Sequence, residues 1–150
     1  MSAKPFVLLA DDNPSDAFLI RLAFEKAKLP CEVFFVPTGA EVIRYLAGEA
    51  PYADRAKFPL PNLIVLDLNM PGGNGFQVLE WLHARPGYSR VRVAVLSSSN
   101  DEQDLARARR LGASDYQIKP NDFRNLVRLA RDLDTKWLNA DCSSVTAAPA

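Results

Sequence analysis

Three carboxylates lie at the ends of two apolar segments, and these residue types at these positions could bind a cation or attack an electrophile. Asp11 and Asp12 follow the apolar run 6–10, and Asp67 follows the run 63–66, which a turn rich in proline and glycine then stops. Such runs are typical of buried parallel strands. Because open α/β sheets bind ligands at the carboxyl ends of their strands, we expect the three acids to meet. A role in capping the turn would explain Asp67 alone equally well. The second strand with the same ending, followed by Asp11 and Asp12, favours a shared site.

Mutual repulsion limits what these three carboxylates can do. Ionised acids at short range need a cation, and an all-oxygen site suits Mg²⁺. We expect Asp12, Asp67 and the backbone carbonyl of Asn69 to hold the ion, while Asp11 shares it or orients a bound water. A carboxylate beside a divalent ion can attack a phosphoryl group and form an aspartyl phosphate. The sequence therefore predicts Asp67 as a phosphoacceptor.

Two further residues could neutralise the charge of a phosphoryl group. Ser97 lies at the end of a fourth predicted strand and offers a hydroxyl, and Lys119 lies at the end of a short fifth strand and offers a point charge. A capping loop and a solvated surface lysine are the simpler explanations of each residue alone. Their common position at strand ends favours a role in the site. The Lys119–Pro120 bond is predicted to allow a cis peptide that turns the lysine inward.

Elements that position these residues alternate along the chain. Strands are predicted over 5–10, 32–36, 63–66, 91–96 and 113–118. Helices are predicted over about 14–28, 39–48, 75–83, 101–111 and 122–138. Four of them have a predicted N-cap, which is Asn13, Thr38, Asn74 or Asn121. This alternation predicts an α/β, doubly wound, five-stranded parallel sheet of flavodoxin-like order 2-1-3-4-5 with five helices.

Composition excludes several classes of function. The 150 residues carry 18 basic and 18 acidic side chains, so the net charge of zero provides no basic field for nucleic acid or an anionic membrane. No run of eighteen apolar residues occurs, and the sequence does not open on a positively charged segment followed by an apolar run, so we expect a cytoplasmic protein. Cys31 and Cys142 are expected to be reduced thiols. His83 has no neighbouring ligand residue and is expected to lie at a helix end on the surface.

Two segments suggest contacts with partners. The connection 49–61 is either a tolerated surface insertion or a partner-binding element that uses Tyr52 and Phe58. The last helix carries a broad apolar arc that should leave one side uncovered after docking, which favours a homodimer through the face of helix 4, strand 5 and helix 5. The alternative is that Trp137 and Leu138 fold back over the sheet end. The arc consists of Phe123, Leu126, Val127, Ala130, Leu133, Trp137 and Leu138, with Leu129 at its edge.

Four motifs together resemble a response-regulator receiver domain over about residues 5–138: D-D-N-P, L-D-L-N-M-P-G-G-N-G, L-S-S-S and D-Y-Q-I-K-P. The resemblance implies that Asp67 takes a phosphoryl group from the phosphohistidine of a sensor histidine kinase, assisted by Mg²⁺. It also implies that Ser97 and Tyr116 report phosphorylation, and that Asn69 and Ser99 flank the path of the hydrolytic water. At the position of Ser97, Thr is as common in the family as Ser, and Ser97 keeps the hydroxyl group.

The resemblance also suggests a domain organisation and a sub-family. Residues 1–138 form the receiver domain, 139–150 form a flexible tail, and no output domain is expected. The proline-rich loop and the opening D-D-N-P-S-D-A-F-L-I are similar to stand-alone regulators that partner bacterial phytochrome kinases.

Other classes of function remain open at this stage. An aspartate-nucleophile phosphatase would need an acid two residues after the nucleophile, where Asn69 stands. An interaction module with an inactive site would bind no Mg²⁺. A flavodoxin-like cofactor carrier would need a phosphate-binding loop where Asp11 and Asp12 would repel a phosphate.

Overall fold

Five parallel strands form one sheet in the order β2-β1-β3-β4-β5, which confirms the predicted fold. The computed structural model describes residues 5–68, 75–98 and 101–138. The strands are β1 (Phe6–Ala10), β2 (Glu32–Val36), β3 (Leu63–Asp67), β4 (Arg92–Ser97) and β5 (Asp115–Ile118). Strand β3 is one residue longer than predicted, so Asp67 ends the strand rather than following it.

Helices cover both faces of the sheet. They are α1 (Pro14–Lys26), α2 (Gly39–Ala47), α3 (Gly75–His83), α4 (Glu102–Arg110) and α5 (Phe123–Leu133), and a π-helical turn, Asp134–Leu138, continues α5. His83 is exposed at the end of α3, as predicted.

Side-chain caps begin four of the helices. Asn13 caps α1 by accepting hydrogen bonds from the backbone N–H groups of Ser15 and Asp16. The predicted cap of α5 was wrong by one residue, because Asp122 and not Asn121 accepts from the backbone N–H of Asn125, at 2.8 Å. Either side chain can cap a helix, so only the backbone path distinguishes them. The predicted cap Asn74 lies outside the described residues.

Two apolar clusters, one on each face of the sheet, form the core. Alternate residues of a strand point to opposite faces, so Leu8 of β1 packs with α2 and α3 while Leu9 packs with α1 and α5. Strands β1 and β3 are buried along their whole length. This rigid centre holds the strand ends, and therefore the site, in fixed register.

The uncovered side predicted for α5 is absent, because the arc packs within the chain. Leu129 is only 8% exposed, and Trp137 packs against the same cluster as α1. Helix α1 contributes two small residues, Ala17 and Ala23, to this contact, so α5 approaches closely over a broad surface. Among the described residues, the exposed large apolar side chains lie elsewhere, at Phe18, Leu19, Leu22, Leu60 and Ile118.

The connection between α2 and β3 is a packed element. Tyr52 is buried and joins an aromatic cluster with Phe34, Tyr45 and Phe58, in which ring centroids lie 5.0 to 6.4 Å apart. The Arg55 guanidinium donates to the backbone carbonyls of Tyr45, Phe58 and Leu46 at 3.0, 3.2 and 2.7 Å. The two aromatic residues considered for partner binding are thus used in packing.

The structure also bears on membrane association. Within the ranges that the structure describes, no helix is both long enough and apolar enough to cross a bilayer.

Candidate functional site

Strand register places the acids side by side. Ala10 of β1 pairs with Leu66 of β3, so Asp11 directly follows β1 at the level where Asp67 ends β3. Asp67 pairs with Leu96 of β4, and Ser97 is the next residue of that strand. These residues therefore lie together at one edge of the sheet, as predicted.

Asp11, Asp12 and Asp67 form a compact acidic cluster in which one oxygen of each lies within 4.8 Å of the others. Asp11 and Asp67 are only 1% and 6% exposed, whereas Asp12 faces solvent. The buried Asp11 Oδ2 contacts the Lys119 ammonium at 2.9 Å, which supplies one positive charge beside three acids. Hard oxygen donors with room for waters suit Mg²⁺. The residues present therefore fit a divalent cation.

Burial shapes the electrostatics of Asp11. It raises the pKa of the Asp11 carboxyl above its ordinary value, against the opposing effects of a hydrogen bond from the backbone N–H of Asn13 at 3.0 Å and of the nearby Lys119 ammonium. The neighbouring Asp67 charge raises it further. A cation in this cluster would relieve that penalty, because it favours the ionised forms.

Lys119 is the counter-charge of the cluster. Its Nζ lies 2.9 Å from Asp11 Oδ2, 3.0 Å from Asp16 Oδ2 and 3.3 Å from Asp67 Oδ2. Burial lowers the pKa of this ammonium, but the three carboxylates raise it more, and the net shift is upward. Lys119 is thus a positive charge that lies beside Asp67.

Lys119 reaches the site without the predicted cis peptide. The cis bond among the described residues is Ala50–Pro51, so the prediction for Lys119–Pro120 was wrong. The reason is that the Lys119 backbone N–H donates to the Ser97 carbonyl at 2.8 Å, which continues the β4–β5 register by one residue. That register already carries the side chain to the sheet edge.

Ser97 and Tyr116 are neighbours, as predicted for a reporting pair. Burial raises the pKa of the Tyr116 phenol, and a hydrogen bond with the Ser97 side chain partly offsets this. Ser97 is fully buried, and Tyr116 is half-buried against the core on the α2–α3 side. The pair connects the end of β4 with the middle of β5.

Two site residues were missed by the sequence analysis. Asp16 contacts Lys119 from the first turn of α1, and its signal was an acid shortly after the capping residue Asn13. Gly75 begins α3 so close to β3 that an added Cβ would lie 2.9 Å from the Asp67 carbonyl oxygen. A side chain there would displace the strand end that carries Asp67. Asn69 and Ser99 lie outside the described residues.

An open groove of about 320 Å³ adjoins the site. It lies between α1 and the segment that joins β5 to α5, and Asp16, Leu19, Lys119, Pro120 and Phe123 are among the residues that line it. The groove therefore gives access to Lys119 from the side of α1.

Comparison with known proteins agrees with this geometry. The model of the response regulator receiver domain family matches residues 7–131. The chain belongs to this family. It is also similar to the response regulator Rcp1 of Synechocystis sp., with 27% identity over 132 residues that cover 88% of each chain.

Two solved structures extend the comparison. The phosphorylated cyanobacterial phytochrome response regulator RcpA is 33% identical, with a TM-score of 0.83 and coverage of 92% of this chain and 96% of that one. The Mn²⁺-bound form of Rcp1 is 27% identical, with a TM-score of 0.78 and coverage of 91% and 95%. The chain is thus a receiver domain similar to phytochrome-associated response regulators.

Proposed function

We propose that Asp67 accepts a phosphoryl group from the phosphohistidine of a sensor histidine kinase in a Mg²⁺-dependent reaction. The observation that carries this proposal is the Lys119 ammonium, 3.3 Å from Asp67 Oδ2, beside a carboxylate cluster that fits a divalent cation. The proposed nucleophile, its counter-charge and the cation ligands thus lie close together. Phosphoryl transfer depends mainly on such positioning and charge compensation.

The transfer balances without any further reactant. An Asp67 carboxylate oxygen forms a bond to phosphorus as the bond from phosphorus to the donor imidazole nitrogen breaks. The electron pair leaves with the imidazole, which then takes a proton. Asp11, Asp12, Asp67 and the backbone carbonyl of Asn69 would hold Mg²⁺, which supplies charge neutralisation on the phosphoryl oxygens.

Five residues are proposed to act after transfer. Lys119 and Ser97 bind phosphoryl oxygens. The hydrogen bond between Ser97 and Tyr116 couples the phosphorylated site to the conformation of Tyr116 on β5. Asn69 and Ser99 are proposed to tune hydrolysis of the phosphate.

Intact-mass measurement after incubation with Mg²⁺ and acetyl phosphate tests the proposal. The wild-type protein should gain one phosphate, and Asp67→Asn should gain none while its unfolding midpoint stays close to that of wild type. Asp54→Asn, in the packed loop, is the matched control and should be phosphorylated normally. Phosphorylation of Asp67→Asn would refute the assignment. As a phosphoacceptor rather than a turnover enzyme, the protein should release no phosphate from small phosphate esters.

The proposed kinase partner is of the phytochrome type, because the similar protein RcpA is named as a phytochrome response regulator. A donor histidine must contact Asp67, so its protein must cover the mouth of the site. Helix α1, which lines the groove beside the site with Asp16 and Leu19, exposes Phe18, Leu19 and Leu22, with 63%, 40% and 37% of their surface accessible. This apolar surface is proposed to receive the kinase.

A substitution on α1 can separate docking from chemistry. Phe18→Ala should slow phosphotransfer from a phosphorylated kinase while leaving the acetyl phosphate reaction unchanged. Leu60→Ala removes an exposed apolar side chain far along the chain from α1 and serves as control. Equal slowing of both reactions would show that Phe18 supports the site rather than docking.

A homodimer through α4, β5 and α5 is also proposed. The support is Ile118, which is 47% exposed on β5 two residues beyond Tyr116. Sedimentation of wild type and Ile118→Lys, each with and without acetyl phosphate, tests it. Leu129→Glu would test folding instead, because Leu129 is buried. Monomers in every sample would remove the dimer.

Two expectations complete the proposal. The receiver domain over residues 1–138 with a flexible tail over 139–150 remains a prediction. The cytoplasmic location also remains a prediction, and its support is the proposed exchange with a kinase.

A further inference from the structure

Asp16 contacts the site without belonging to the acidic cluster. Its Oδ2 accepts a hydrogen bond from Lys119 Nζ at 3.0 Å across 103 positions of sequence. The carboxylates that could jointly hold a cation, among the residues described, are Asp11, Asp12 and Asp67. Asp16 is therefore a partner of the lysine and not a cation ligand.

The three oxygen partners of Lys119 differ in how strongly other groups compete for them. An ammonium has three N–H donors, and here three carboxylates surround it. A divalent cation would draw on the oxygens of Asp11 and Asp67, and phosphorylation would convert Asp67 itself. Asp16 keeps its oxygen available through both changes.

Asp16 is also held in place by its own helix. Its backbone N–H donates to the capping Asn13 Oδ1 at 3.1 Å, so the first turn of α1 fixes the position from which the carboxylate projects. Its side chain is 41% exposed, compared with 1% for Asp11 and 8% for Asp67. Asp16 thus holds Lys119 from the rim, while the deep acids face the reacting atoms.

We propose that Asp16 is a positioning residue for phosphoryl transfer, which keeps the Lys119 ammonium directed at the phosphoryl group that arrives on Asp67. This inference rests on the proposed function of Asp67. It assigns to Asp16 a hydrogen bond that persists while the other two partners of Lys119 change. Losing a contact that orients a catalytic group can slow a reaction by one to two orders of magnitude.

A helix-stabilising role is the competing explanation, because an acid in the first turn favours the helix dipole. That role requires the negative charge of Asp16. The positioning role requires only an oxygen that accepts from Lys119 Nζ, which an asparagine also provides. Asp16→Asn and Asp16→Ala therefore separate the two explanations.

The experiment follows phosphorylation by acetyl phosphate over a range of Mg²⁺ concentrations, together with thermal unfolding. Asp16→Ala should lower the maximal rate constant by about tenfold without changing the Mg²⁺ concentration for half-maximal rate. Asp16→Asn should restore most of the loss. Glu25→Ala, which removes an exposed acid from the same helix, is the matched control and should react like wild type.

A double-mutant cycle with Lys119 decides whether Asp16 acts through the lysine. In a Lys119→Ala background, adding Asp16→Ala should change the rate constant by less than about twofold, because the contact is already lost. A tenfold effect that persists there would overturn the proposal. A normal rate in Asp16→Ala, an equal loss in Asp16→Asn, or a shifted Mg²⁺ dependence would each overturn it too.

Failure of the proposed function gives a different result from failure of this inference. If wild type gains no phosphate at any Mg²⁺ concentration, the function of Asp67 is refuted and the role of Asp16 falls with it. If wild type reacts and Asp16→Ala reacts equally fast, only the role of Asp16 is refuted.

Discussion

Lys119 and Arg55 are two cations with three oxygen partners each, and they do different things. Arg55 donates to the backbone carbonyls of Tyr45, Leu46 and Phe58, which are neutral and fixed by the chain. Lys119 lies among the carboxylates of Asp11, Asp16 and Asp67.

The chemistry of the partners explains the difference. Peptide carbonyls in a packed loop meet no competing ligand, so the Arg55 contacts join α2 to the connection that follows it. Carboxylates attract divalent cations, and Asp67 is the proposed phosphoacceptor, so the Lys119 contacts are ones that ligands would exchange. Two partly buried cations thus differ in role according to the charge of their partners: Arg55 joins two fixed segments, and Lys119 lies in a site whose contacts can change.

The largest effect should come from Lys119→Ala. We expect the protein still to bind Mg²⁺ but to be phosphorylated roughly 100-fold more slowly, because the developing phosphoryl charge loses its fixed counter-ion. Amide spectra of the product should also show little of the change that phosphorylation causes in wild type. Lys136→Ala is the control, since Lys136 pairs with Asp115 and Asp132 away from the site.

A smaller effect of a different kind should follow Arg55→Ala. Loss of the guanidinium leaves three carbonyls with fewer partners and should lower the free energy of unfolding by about 1–3 kcal/mol. The rate of phosphorylation by acetyl phosphate should stay at the wild-type value. Chemical denaturation and intact-mass kinetics on one preparation check both statements, and slowed phosphorylation would break the distinction between the two cations.

Asp12→Ala should weaken Mg²⁺ binding about tenfold or more, since even indirect partners of a metal change its affinity by about that factor. The metal-free variant should be as stable as wild type, because removing one of three crowded carboxylates relieves repulsion. Calorimetric titration with Mg²⁺ measures the first effect and thermal unfolding in chelator the second. Unchanged Mg²⁺ affinity would place the cation elsewhere.

The smallest effect concerns alkaline pH and the packed loop. Burial raises the pKa of Tyr45 and of Tyr52 from 10.0 to about 12. A pKa that is higher in the folded state means that stability is complete below pH 10 and falls as pH rises from 10 to 12. Tyr52→Phe should make that fall shallower, as denaturation midpoints across this range would show. A steeper fall would contradict the packing of the loop.

Strand patterns predicted much of the site because parallel strands end at a common edge. Apolar runs located β1, β3 and β4, and a short pattern of mixed polarity located β5. The residues after or at the ends of these strands included Asp11, Asp67, Ser97 and Lys119. Asp16 was not predicted as a site residue because it lies on a helix and not at a strand end. Its contact with Lys119 depends on how α1 packs against the sheet, which no local pattern encodes.

Helix packing also explains the wrong expectation for α5. The width of an apolar arc indicates how much surface must be covered but not which element covers it. Small residues on α1, Ala17 and Ala23, allow a close contact that buries the arc inside the chain. Three of the five exposed large apolar side chains among the described residues lie on α1, at Phe18, Leu19 and Leu22.

Borohydride trapping of the phosphorylated protein tests the central claim most directly. An aspartyl phosphate is reduced to homoserine, whereas free carboxylates are not, so the modified position can be read by peptide sequencing in a mass spectrometer. The account predicts homoserine at position 67, only after incubation with both Mg²⁺ and phosphodonor. Homoserine at position 11, 12 or 16, or at none of the acids of this edge, would contradict it.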